Sequence, residues 1–120
     1  MSNRTIKASL SNFRLYCGNI LSFEHTKFGS IRIGGTPIKP MFVASDVWGA
    51  LGYMKQPISE HCMYAQKWAI SNTVNPEEYE ELYFIPSSDV YQLIKKSNLS
   101  ESEASEYRAW IDKLRAEIKS

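Results

Sequence analysis

The stretch from Pro40 to Tyr53, PMFVASDVWGALGY, leaves the chain little choice of local structure. Met41, Phe42 and Val43 form a compact β-prone run, and the proline before them suits a strand's first residue. Ser45 can accept a hydrogen bond from the free amides of a following helix, and Asp46 places a negative charge in its first turn. Val47, Ala50 and Leu51 fall on one helical face at i, i+3 and i+4, and Gly52 is the expected left-handed stop. A strand feeding straight into a short capped helix is the unit around which the rest must be arranged.

Upstream, Met1 to Gly18 shows neither clean alternation nor a clean helical stripe, and Arg4, Lys7 and Arg14 make it basic. It reads as an N-terminal segment of uncertain order, 1–18, ahead of a domain over 19–120. Its apolar residues either dock on the domain, the plainer reading, or its basic ones touch a nucleic acid or a partner. Ile20 to His25 and Ser30 to Ile33 read as strands joined near Lys27 to Gly29. Gly34-Gly35-Thr36-Pro37 then marks a turn into a strand over Ile38 to Val43. A second helix is expected from Pro57, with Ile58, His61, Cys62 and Ala65 as its apolar stripe. Trp68 to Thr73 is a candidate short strand, Asn75 to Glu78 a turn opening an acidic run to Glu81, and Leu82 to Ile85 another strand. Ser87 or Ser88 caps a third helix, with Val90, Leu93, Ile94 and Ser97 inward and Lys95 and Lys96 near its end. Ser100 to Glu103 fits a capping box, and Tyr107, Ile111, Leu114 and Ile118 keep a 4-3-4 stripe on the last helix. The fold class is α+β: a small antiparallel sheet, made of a three-stranded meander plus one or two short strands, with about four helices.

Four blocks of this sequence, in order, resemble the N-terminal domain of the BRO family, found in viral regulators and phage antirepressors. They are MFVASDVWGALGY, then Pro57 to His61, then the strand-to-helix element Phe84 to Ser97, and finally Ala104, Tyr107 and Trp110 on the last helix. The resemblance runs from about Ile20 to the end. It implies a viral or phage transcriptional regulator. One branch of the family is reported to bind DNA, and the other binds a repressor protein so that the repressor leaves its operator. Many members carry a second, C-terminal domain, and none is expected here, a departure from the family that bears on whether the full function is retained.

Composition narrows the classes. Hydrophobic residues at 43% and charged residues at 22% are ordinary for a globular domain. A net charge of +1 announces neither a strongly basic nucleic-acid binder nor an acidic mimic. Two cysteines, Cys17 and Cys62, cannot make a disulfide framework and point to a reducing compartment. No secretory leader and no apolar run near the ~20 residues of a membrane span is visible, so no membrane partner is expected. The expected location is the cytoplasm of a bacterial host.

No metal or cofactor is expected. Cys17, His25, His61 and Cys62 lack the C-x-x-C or H-x-x-x-H spacing of a metal site. A Cys–His nucleophilic site would need an orienting group and an oxyanion hole that nothing flags, and the carboxylates of Glu77 to Glu81 read as a solvated face. Gly34-Gly35 is a turn and lacks the phosphate-cradling pattern. The protein is therefore not read as an enzyme.

Seven tyrosines and three tryptophans are more informative. Trp48 falls about 100° from Val47 around its helix, where the family usually has a small or polar residue. It is either an exposed interface anchor or packed beneath the N-terminal segment. Trp48, Tyr53 and Trp110 are the candidate partner-binding residues. Lys95 and Lys96 with the Arg108, Arg115 and Lys119 edge of the last helix are the candidate nucleic-acid contacts, against the blander reading of a solvated mixed-charge edge. Near-neutral charge and aromatic content favour an antirepressor that binds a repressor protein, with duplex DNA as the alternative target. The last helix lacks the family's Leu-Pro ending, and its exposed edge is expected to support a homo-oligomer.

Overall fold

The 9-residue strand Glu78–Pro86 is the centre of the sheet, with partners on both sides. The computed structural model describes residues 4–7, 14–53, 62–71 and 78–119. In chain order it contains β1 (Arg4–Lys7), β2 (Arg14–Leu15), β3 (Leu21–His25), β4 (Gly29–Gly35), β5 (Pro40–Val43), α1 (Ala44–Leu51), β6 (Gln66–Ser71), β7 (Glu78–Pro86), α2 (Ser87–Lys96) and α3 (Glu101–Lys119). The strands form one sheet in the order β2-β6-β7-β5-β4-β3, with β1 also beside β7. β6 pairs one side of β7 from Gln66↔Phe84 to Ser71↔Tyr79. On the other side β5 takes the stretch from Phe84 to Pro86 and β1 the stretch from Glu78 to Glu81.

The α+β class and the antiparallel meander β3-β4-β5 stand as the sequence predicts. The sheet is larger than expected and mixed, because β2 runs parallel to β6. Residues 4–7 and 14–15 of the supposedly unreadable N-terminal segment are strands, too short to show alternation and defined by the partners they meet. The acidic residues Glu78, Glu80 and Glu81 lie in β7 instead of a turn and solvated run, since pairing on both sides overrides their low strand propensity. β5 begins at Pro40, and Ile38 lies in the preceding turn, 84% exposed. Three helices are present among the described residues. The expected helix from Pro57 lies outside them up to His61, and Met63 and Tyr64, which follow, form a turn.

All three helices pack on one face of the sheet. Phe42, Ile85, Ile31 and Ile33 rise from the strands to meet Val47 and Leu51 of α1, Val90, Leu93 and Ile94 of α2, and Tyr107, Ile111 and Leu114 of α3. The buried side of α1 is Ala44, Val47, Trp48 and Leu51, a stripe at i, i+3, i+4 and i+7. Counting from Ala44 instead of Val47 puts Trp48 on the inner face, where it is 5% exposed and packs 5.0 Å from the Tyr53 ring. Of the two placements the sequence leaves open, burial is the one found, within the core cluster under the helices.

Caps also differ in detail. Val43 occupies the N-cap position of α1 without a side-chain cap, and the buried Ser45 hydroxyl has no hydrogen-bond partner among the described residues. Pro86 precedes α2, with no cap from Ser87 or Ser88. The stop at Gly52 is as expected, at φ 84° with its amide donating to the Trp48 carbonyl at 2.9 Å. The Ser100 cap is present too: its hydroxyl accepts the Glu103 amide at 3.1 Å and donates to the Glu103 carboxylate at 3.2 Å.

Candidate functional site

The sheet face away from the helices holds a smaller apolar cluster of Met41, Val43, Leu82 and Phe84, with Ile20, Trp68 and Ile70 against it. Alternation in β6 produces this, since Gln66, Trp68 and Ile70 share one face. Among the described residues no helix covers the cluster. Instead the chain after β2 crosses it, and the Tyr16 ring stacks on Trp68 at 4.5 Å and on Phe84 at 5.9 Å. The Tyr16 hydroxyl accepts the Gly35 amide at 2.8 Å and donates to the Asn19 carbonyl at 3.1 Å. Gly34 makes this approach possible: a Cβ there would lie 3.2 Å from the Tyr16 oxygen, 3.1 Å from Ile20 and 3.3 Å from Phe84.

Beside this crossing lies an open groove of about 520 Å³, floored by Met41, Trp68 and Pro86 and rimmed by Thr36, Lys39 and Tyr64. Met63 at 84% and Tyr64 at 58% exposure stand on the turn that leads into β6, and Ile38 stands on the turn between β4 and β5. Large apolar side chains so placed gain nothing for folding and are available to a protein partner. Sequence reasoning passed over Met41, Tyr64 and Trp68 because their convergence depends on β5, β6 and the turn before β6 meeting at one end of the sheet.

A second surface runs between α2 and α3. Tyr91 lies between two guanidinium groups, with Arg108 5.4 Å and Arg115 5.5 Å from its ring centre. Arg115 donates to the Tyr91 hydroxyl at 3.0 Å, and that hydroxyl donates to the Asp112 carboxylate. Partial burial, and then the Asp112 bond, raise the Tyr91 phenol above its ordinary value. Lys95 lines the same depression as Arg108, and Lys119 lines the next one with Arg115 and Ile38. Four of the five predicted cations are therefore arranged along one edge. Lys96 is exposed in the last turn of α2, outside both depressions.

The predicted contact aromatics divide. Trp48 and Tyr53 are 5% and 6% exposed, and the Tyr53 hydroxyl donates to the Leu93 carbonyl at 2.8 Å, so neither presents a surface. Trp110 is half-buried in an aromatic corner with His25 at 5.0 Å, Tyr107 at 5.8 Å and Phe28 at 6.4 Å. Lys27 closes that corner by pairing with Glu106 at 3.1 Å and Glu103 at 3.6 Å.

Asp46 and Arg32 tie α1 to β4. Asp46, expected only as a helix-dipole residue, accepts the Arg32 amide at 2.9 Å and grips its guanidinium at 3.0 and 3.1 Å. This bidentate pair raises the Arg32 pKa, and a Glu80 carboxylate lies 3.5 Å from its far nitrogen. The two thiols contrast: Cys17 is exposed, whereas burial pushes Cys62 up to about 12, with Asp89 adding to the rise. Among the described residues no group of three His, Cys, Asp or Glu is placed to hold a metal ion.

The described residues thus make an α+β domain with one sheet face packed under three helices and the other carrying an open apolar groove. A model of the BRO family N-terminal domain matches residues 30–116, and the chain belongs to that family. Membership points to a regulator-like function of the phage and viral kind. No curated protein and no solved structure matches the chain. Among the described residues, no helix is long and apolar enough to cross a membrane.

Proposed function

We propose that the protein is a transcriptional regulator of the antirepressor type, which binds a repressor protein in the host cytoplasm and relieves repression. The observation that best supports this is the apolar groove over Met41, Trp68 and Pro86 with Met63 and Tyr64 exposed beside it. Such a surface suits an apolar anchor from another protein and offers little to a phosphate backbone. The net charge of +1 fits the same reading. The test is a titration of the protein into a purified phage repressor held on labelled operator DNA. Release of the operator is expected, and Met63→Ala with Tyr64→Ala should raise the concentration required by about tenfold or more, on the usual hot-spot scale. A repressor that stays on its operator throughout defeats the proposal.

A second reading has its own support in the α2–α3 edge, where Arg108, Arg115, Lys95 and Lys119 follow one line. Here the domain would bind duplex DNA through phosphates. Retardation of generic duplex should then weaken steeply with salt, and Arg108→Ala with Arg115→Ala should reduce the log–log slope by roughly two. An unaltered slope counts against that edge.

A further inference from the structure

The strand path has two unequal ends, with the 4-residue β1 as a side branch on β7. One end is β2, only 2 residues long. The other is β3, whose 5 residues pair with β4 on the inner side and with no strand among the described residues on the outer side. Natural edges are usually blunted by proline, lysine, a bulge or a covering element. β3 has neither proline nor lysine, and its register with β4 runs unbroken from Leu21↔Ile33 to His25↔Gly29. Leu21, Phe23 and His25 form its helix-side row. Leu21 is 45% exposed, and Trp110 stands half-buried 5.0 Å from His25.

We propose that β3 is a self-association edge, pairing antiparallel with β3 of a second copy about a two-fold axis through Phe23. The partner is a second copy because of how this sequence reads against itself. A two-fold axis through Phe23 pairs all five residues, sets Phe23 against its counterpart, Leu21 against His25, and Ser22 against Glu24. The lone charge of the strand, Glu24, thus meets a hydroxyl, whereas an axis through Glu24 would oppose two carboxylates and shorten the ladder. Pairing β3 with the opposite edge would rest on the 2 residues of β2 and would propagate without closing. At the hairpin corner, Lys27 already pairs with Glu103 and Glu106, so those carboxylates are screened from a neighbouring copy. The pairing extends the sheet with both helix layers on one side and covers Leu21 and Trp110. An interface of this extent lies at the small end of the specific range, so a roughly micromolar equilibrium follows.

The test is sedimentation velocity on the full chain from about 5 to about 200 μM, bracketing that affinity. A dimer is expected within the series, and hydrogen exchange at the amides of Leu21 to His25 should slow as concentration rises. Ser22→Glu changes an exposed position and opposes carboxylates twice across the axis, so dimerisation should weaken about tenfold. Ser22→Glu combined with Glu24→Ser exchanges the two roles and should restore it. A monomer throughout, exchange at β3 independent of concentration, or a dimer indifferent to Ser22→Glu would each overturn the proposal. So would a double variant no better than the single, because only the pairing of Ser22 with Glu24 predicts rescue.

Discussion

The two faces of the sheet are closed by different means. Three helices and a continuous cluster of large side chains seal one, so that Phe42, Val47, Val90, Leu93, Tyr107 and Ile111 are fully buried. Among the described residues, the other is crossed by one short segment that rests on the stack of Tyr16, Trp68 and Phe84. The first arrangement concentrates stability and leaves apolar surface at its rim, at Leu21 and Trp110. The second leaves apolar side chains at the surface beside a groove. A packed core and an open groove thus lie on opposite sides of the same strands, a division that the alternation of strand side chains makes natural.

This contrast can be broken by experiment. The largest effect is expected at Trp48→Ala, on the sealed face, which should cost about 3–5 kcal/mol in urea denaturation because a large buried ring leaves a cavity. A loss below 1 kcal/mol would mean that Trp48 is not core. Trp68→Ala, on the open face, should cost about 2 kcal/mol, since its ring is only partly buried and its removal widens an existing groove. Equal losses at the two positions would erase the distinction.

Gly34→Ala sharpens it. The added methyl must push aside Tyr16, Ile20 or Phe84, for a cost of about 1–2 kcal/mol. In a Tyr16→Ala background that cost should fall by about half, and an unchanged cost would show that the crossing segment does not depend on the glycine.

The smallest effect at neutral pH concerns Cys62, on the sealed face. Its thiol holds its proton up to about 12 when folded, well above the ordinary value. The folded chain therefore binds that proton more tightly than the unfolded chain. The stability so gained is intact below the ordinary thiol value of about 8.5 and is lost as pH rises from there towards the folded value. Cys62→Ala should flatten the alkaline decline measured between about pH 8 and 10.5, and an identical decline in both proteins would remove burial at Cys62 as its cause.

How much of this was legible beforehand follows the range of the interactions involved. The meander, the strand-to-helix unit and the stripe Tyr107, Ile111 and Leu114 are written in local periodicity and stand as read. Trp48 stays ambiguous in the sequence because a face counted from Val47 leaves it at the edge, whereas Ala44, one turn earlier, moves the centre toward the indole. β1 and β2 were illegible because strands of 4 and 2 residues carry almost no pattern of their own. The cationic edge was half legible. Arg108, Arg115 and Lys119 follow from helical spacing, but Tyr91, which gathers both guanidinium groups, belongs to another helix and could not be placed without the packing of α2 on α3.

The unequal thiols have a practical consequence. At neutral pH a maleimide or a nitroxide reagent should react with Cys17 and leave Cys62 untouched, so the wild-type chain accepts a single probe without engineering. That probe would sit one residue from Tyr16, at the lip of the crossing segment. A chain with one reporter already at its least armoured point can announce a visitor to that face by a change in colour or in linewidth.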